Sequence, residues 1–134
     1  MNTDDVIEIN QVMGLYVHVI DAKQWDRLHE LYTDDGVFDL SGLMGSEVRF
    51  EGIDAIKGFL TSMPMPLAHI STNHYVFEAD GTVQSRGKWF MPDEEGKVSG
   101  GMYRDTWART DRGWRMKERR VFNWVGAEDE EMNA

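Results

Sequence analysis

Apolar residues recur at helical spacing in the first part of the chain and at a period of two in its second half. Ile9, Val12, Met13, Tyr16, Val19 and Ile20 follow the 3.6-residue repeat of a helix that ends at Asp21. Thr3 is placed to cap this helix, with Asp4 and Asp5 in the first turn at the positive end of the dipole. A second, shorter helix carries Trp25, Leu28, Leu31 and Tyr32 on one face and stops at Thr33-Asp34-Asp35-Gly36. Residues 37–40 and 48–51 read as short strands. Gly52 precedes a third helix with Ile53, Ile56, Phe59 and Leu60, ended by Pro64-Met65-Pro66.

From residue 67 onward the pattern is one of long strands with turn punctuation. Residues 67–79 stop at Asp80-Gly81, 83–91 at Pro92-Asp93-Glu94-Glu95-Gly96, and 97–109 at Thr110-Asp111-Arg112-Gly113, with 114–125 closing the domain. Helices first and antiparallel strands after give an α+β layout with segregated layers. A curved antiparallel sheet wrapped around helices encloses a cone-shaped cavity, suited to a small molecule. Strand parity groups His69, Ser71 and Asn73 on one face, Gly101, Tyr103, Asp105, Trp107 and Arg109 on a second, and Arg115, Lys117, Arg119, Val121 and Asn123 on a third. The opposite side of the sheet, with Trp89 or Phe90 according to parity, needs a partner, which predicts a homo-oligomer.

Composition narrows the partners. A net charge of −10 argues against nucleic acid or an anionic membrane, since phosphate binding needs clustered Lys and Arg. Part of the acidity is local: one domain over 1–126 is followed by an acidic tail, 127–134, read as solvated. The absence of cysteine removes disulfides, thiolate metal sites and cysteine nucleophiles together. With no signal peptide and no apolar run near the roughly 20 residues that span a bilayer, the expectation is a cytoplasmic protein. Neither His-x-x-x-His nor a carboxylate cluster is present, so no metal and no cofactor is expected.

The candidate chemistry lies in Asp21 and His69. An Asp that orients a His makes a general base, provided the fold joins residues 48 positions apart. A His on a half-buried strand also serves as an ordinary hydrogen-bonded residue, and an Asp also ends helices. Asp at a helix C-terminus is, however, electrostatically unfavourable and calls for a reason. His18, His29 and His74 are left outside the site.

Several segments carry a family resemblance. They are residues 20–28, the turn 33–38, Glu51-Gly52-Ile53-Asp54-Ala55-Ile56, His69 with Asn73, and Tyr103-Arg104-Asp105 followed by Gly113-Trp114-Arg115-Met116. In this order the chain resembles the SnoaL-like branch of the nuclear transport factor 2-like superfamily. Within it, the likeness is to scytalone dehydratase, hexachlorocyclohexane dehydrochlorinase and the bile-acid dehydratases. The resemblance implies a cofactor-independent lyase using an Asp–His dyad, Asp21 and His69, on a small, mostly apolar cyclic or aromatic substrate. Tyr16 and Arg119 fall at further catalytic positions; Asn73 matches the dehydrochlorinase's His-x-x-x-Asn pattern, and Tyr103 and Trp107 are expected to line the cavity. The second catalytic His of scytalone dehydratase has no counterpart in residues 84–91. An isomerase, a polyketide cyclase or a non-catalytic small-molecule-binding protein stands as the alternative on this scaffold, and relatives imply a homodimer or homotrimer.

Overall fold

The computed structural model describes residues 1–45 and 47–124. The expected acidic tail, 127–134, and residues 125–126 of the expected domain lie outside the described residues.

Helix α1, Thr3–Asp21, buries all six residues of the predicted stripe. Its cap is Asn2, not Thr3. Asn2 Oδ1 accepts the Asp5 N–H at 3.0 Å while Asp5 Oδ2 accepts the Asn2 N–H at 2.8 Å, a reciprocal capping box that only this register closes. The same carboxylate accepts from Trp114 Nε1 at 2.9 Å and pairs with Arg109, tying the helix start to the sheet. The Trp114 bond and then the Asn2 bond hold its pKa down at about 2.

The predicted second helix is a 3-10 turn, Trp25–Glu30. It cannot continue through Tyr32, because Leu31 O accepts the Met116 N–H at 2.8 Å and draws the chain into the sheet. Strand β1, Tyr32–Asp39, therefore contains Thr33-Asp34-Asp35-Gly36, the segment expected to be a turn, as an irregularity in its pairing. A single helical turn, α2 (Ser41–Met44), follows, then β2 (Arg49–Glu51) and α3 (Ile53–Ser62). The long strands are β3 (Ile70–Ala79), β4 (Thr82–Pro92), β5 (Val98–Thr110) and β6 (Gly113–Asn123).

The six strands form one curved, unclosed sheet in the order β2-β1-β6-β5-β4-β3. Every neighbouring pair is antiparallel except β1 with β6, which run parallel, so the expected all-antiparallel sheet is mixed. Two bulges set its parity. On β3 the register shifts between Thr72 and Tyr75, with Asn73 at a φ of 55°. On β6, Thr106 faces Glu118 while Trp107 faces Met116, which leaves Lys117 as the extra residue. Trp114, Met116, Arg119 and Val121 consequently point inward, and Arg115 and Lys117 do not share the face of Arg119 as strict alternation predicts. On β5 the alternation is kept, with Tyr103, Asp105 and Trp107 buried.

The core fills the concave side between α1, α3 and the sheet. Trp89 belongs to it, its Nε1–H shared between Met102 O and Phe122 O at 3.2 and 3.1 Å, so Phe90 is the residue left on the outer face. Among the described residues no helix is long and apolar enough to cross a membrane.

Candidate functional site

The end of α1 and the start of β3 meet at the rim of the concave side. Asp21 closes the helix where the dipole disfavours a carboxylate, and His69 supplies what offsets it. The His69 backbone N–H lies 3.0 Å from both carboxylate oxygens, and His69 Nδ1 lies 2.6 Å from Asp21 Oδ1. His69 directly precedes β3 rather than lying on it, so the register of Ile70 with Phe90 fixes its backbone. A carboxylate only accepts, so Nδ1 carries a proton directed at Asp21.

His69 is also part of a cavity wall. A pocket of about 150 Å³ is lined by Tyr16, Ile20, Phe38, Leu40, Leu60, Trp89, Met91, Tyr103 and Val121, with Met63-Pro64-Met65-Pro66 along one side. Apart from His69, Tyr16 and Tyr103, the wall is apolar or, at Trp89, has its polar group already bonded. An apolar cavity of this size holds one benzene-sized ring.

Beneath the two tyrosines lies a buried charge. Arg119, fully enclosed, gives Nε and Nη2 to the two oxygens of Asp105, each at 2.8 Å. Its guanidinium sits 3.7 Å from the Tyr103 ring centroid and 4.2 Å from that of Tyr16, a cation against two ring faces. Asp105 Oδ2 also accepts from Ser85 Oγ at 3.2 Å, and Ser85 Oγ accepts from Trp107 Nε1 at 2.8 Å. Burial opposes the charge on Arg119, but Asp105 more than offsets it, and the guanidinium titrates above its ordinary range. Burial raises the pKa of Tyr16 and of Tyr103, with Arg119 opposing both, so each phenol is a neutral donor at pH 7.

The structure thus brings Asp21, His69, Tyr16 and Tyr103 to one rim and wall. Arg119 stands behind that wall, in contact with the two rings instead of the cavity. Two expected lining residues lie elsewhere. Asn73 occupies the β3 bulge, exposed, with Oδ1 accepting from Thr72 Oγ1 at 2.9 Å, because the extra residue turns it out of the sheet face. Trp107 is buried four residues deeper along β5 than Tyr103 and is bonded to Ser85, below the floor of the pocket.

The same bulge turns His74 inward, which sequence reasoning missed. Its ring rests on Gly87, where a Cβ would come within 2.5 Å of Cδ2, and its Nε2 lies 2.6 Å from Ser71 Oγ. Burial, then the charge of Arg119, lowers its pKa. The paired signals were an Asn able to adopt a positive φ and a strand glycine opposite it. Among the described residues, no three His, Asp or Glu side chains are grouped to hold a metal ion.

The architecture is shared with solved structures of the nuclear transport factor 2-like fold. A candidate aromatic ring hydroxylase from Novosphingobium aromaticivorans is 26% identical, with a TM-score of 0.75 over 92% of this chain and 91% of that one. A candidate scytalone dehydratase from the same organism has a TM-score of 0.64 at 19% identity, covering 84% of this chain and 79% of that one, a likeness of fold. An uncharacterised protein of Mycobacterium tuberculosis is 30% identical over 122 residues, 86% of this chain and 82% of its own length. Residues 1–120 match the model of the SnoaL-like domain, and the chain belongs to that family.

Proposed function

We propose that the protein is a cofactor-independent lyase that eliminates water from a small, mostly apolar cyclic substrate, with Asp21 and His69 as its general-base dyad. The observation that carries this reading is the 2.6 Å contact of His69 Nδ1 with Asp21 on a residue that also lines an otherwise apolar pocket. His69 Nε2 takes a proton from carbon next to a carbonyl, and the Tyr16 and Tyr103 hydroxyls donate to the oxyanion that develops. The imidazolium then returns its proton to the departing oxygen, a carbon–carbon double bond forms, and water leaves. Asp21 stabilises the imidazolium through Nδ1–H. Arg119 is a positioning residue: it acts on the two tyrosine rings and does not touch substrate. Exclusion of water by the apolar wall strengthens each of these interactions.

The test is turnover of β-hydroxy cyclic ketones, followed by the absorbance of the conjugated product. Release of water sensitive to His69→Ala supports the reading. Exchange of the substrate's carbon-bound proton in deuterated solvent, without release of water, would instead assign an isomerase. No turnover by the parent across such ketones, together with an unchanged ligand-binding profile in His69→Ala, would leave a binding protein. A homo-oligomer of cyclic symmetry is part of the proposal, and a monomeric mass by light scattering at micromolar concentration would overturn that part.

A further inference from the structure

Among the described residues, three side-chain polar atoms are buried without a hydrogen-bond partner, and two of them, Tyr32 Oη and Arg119 Nη1, belong to side chains packed on Tyr16. A buried donor left unbonded costs stability, so its presence calls for a reason. Arg119 directs Nε and Nη2 at Asp105, which leaves Nη1 over. Tyr32, fully buried, opens β1, where pairing with Met116 fixes its backbone. Gly36 closes in on its ring: a Cβ there would lie 2.9 Å from Tyr32 Cβ and 3.0 Å from Cδ1. The Tyr16 and Tyr32 rings meet edge to face with centroids 6.4 Å apart, and the Arg119 guanidinium lies 4.2 Å from the Tyr16 centroid. Of these three side chains, only Tyr16 lines the pocket. Burial raises its pKa, while the Arg119 charge and then hydrogen bonding from Tyr32 and from Arg119 oppose that rise. Both donors therefore act on the Tyr16 oxygen, yet neither closes a bond of ordinary geometry on it.

We propose that Tyr32 is a positioning residue for a negatively charged ring oxygen bound in the pocket: Tyr32 Oη and Arg119 Nη1 close on the Tyr16 oxygen when Tyr16 donates its hydrogen to that charge. The inference rests on the proposed reaction, in which Tyr16 meets the oxyanion. A hydroxyl that donates becomes a better acceptor, and a chain of such bonds strengthens along its length. As the substrate oxygen gains charge, the Tyr16 hydrogen is drawn toward it and the Tyr16 oxygen turns more negative. The two spare donors then find their partner, and not before. Bonds made only in the charged state lower the barrier without tightening the resting complex. No net proton transfer is needed, since the Tyr16 hydrogen returns as the charge leaves. The ligand class follows from the cavity and the donors together: a ring of about benzene size with an enolate or phenolate oxygen.

Binding tests this without turnover, so a failure of the lyase reading leaves the test intact. The probes are 4-nitrophenol, at a pH where it is ionised, and its methyl ether 4-nitroanisole, which has the ring without the charge. Tyr32→Phe should weaken phenolate binding by about 10–100-fold and leave the ether's Kd within about twofold. Equal losses for both probes would mean a misshapen cavity and overturn the proposal, as would no loss or no phenolate binding by the parent. In a Tyr16→Phe background the same substitution should do nothing to phenolate binding, because Tyr32 acts only through Tyr16; a loss as large as in the parent would overturn it. Stability supplies a second reading. Tyr32→Phe removes a hydroxyl that has no partner in the resting protein, so Tm should equal the parent's or exceed it by up to about 6 °C. A lower Tm would show that the hydroxyl is already bonded, to an internal water or otherwise, and would overturn the assignment.

Discussion

Two pairs of an aspartate with a basic side chain stand a short way apart, one at the rim of the pocket and one behind its wall. In the rim pair, Asp21 and His69 keep 28% and 13% of their side-chain surface; in the rear pair, Asp105 and Arg119 keep 1% and 0%. Arg119 never gives up its proton, and both Asp105 oxygens are used, so the rear pair is a fixed field. His69 instead lies on the pocket wall, and Nδ1 is the ring nitrogen that meets the carboxylate. A paired carboxylate thus fixes a scaffold in one place and, on the function proposed above, arms a base in the other; what differs is whether solvent or substrate can reach the pair.

Breaking the rim pair should cost activity and spare the fold. His69→Ala and Asp21→Asn should each lower kcat/KM by about 10²–10⁴-fold, with unfolding midpoints near that of the parent. The double variant should lose little more, since groups acting as a unit are not additive; losses that multiply would show two independent roles. Breaking the rear pair should do the reverse. Asp105→Ala strands a buried guanidinium and should cost about 3–5 kcal/mol in urea unfolding. Asp105→Leu with Arg119→Met should recover much of that stability while losing the cation behind Tyr16 and Tyr103; a double variant as unstable as Asp105→Ala would contradict this account.

Smaller effects sharpen the contrast. Trp107→Phe removes one donor to Ser85 and should cost about 1 kcal/mol in stability. It should leave KM unchanged, because Trp107 lies below the pocket; a raised KM would bring Trp107 back into the lining. The smallest effects come from pH. His74 has a lowered pKa in the fold, so the unfolded chain takes the proton first. Stability should therefore be full above the ordinary His value of about 6.5 and decline as pH falls through it. His74→Gln should flatten that decline in urea midpoints measured between pH 7.5 and 5.5. Asp5, held at about 2 against an ordinary 3.8, contributes stability that persists above 3.8 and is lost as pH falls through about 2. In Asp5→Asn that last acid step should be smaller.

The periodic parts of this molecule were legible in the sequence. The stripe from Ile9 to Ile20, the turns at Asp80-Gly81 and Gly113, and the α+β order follow from spacing that one residue type after another repeats. The SnoaL-like family, too, was visible in the order of weak segments. Single-residue irregularities were not. Asn73 and Lys117 each insert one residue, and each reverses every parity statement on its side of the bulge: Asn73 leaves the pocket face, His74 enters the interior, and Arg115 parts from Arg119. Depth was equally hidden. Tyr103 and Trp107 share a strand face, yet only the first reaches the pocket, because position along the cone depends on where α1 and α3 cross the sheet. Helix capping at Asn2 turned on a reciprocal bond to Asp5 that a cap at Thr3 could not make, because Val6 would then stand at the third helical position.

The parallel pairing of β1 with β6 has a consequence for how the chain is made. Residues 32–39 leave the ribosome long before residues 113–123, yet β6 lies between β1 and β5 in the sheet. Until the last strand emerges, β1 and β2 have no route to the rest of the sheet, and the buried stripe of α1 lacks Trp114, Met116 and Val121. Contacts so distant in sequence carry a high loop-closure cost and slow folding. The nascent chain should accordingly expose apolar strand edges throughout synthesis, and pulse-labelled hydrogen exchange should find the β3–β5 meander protected before β1.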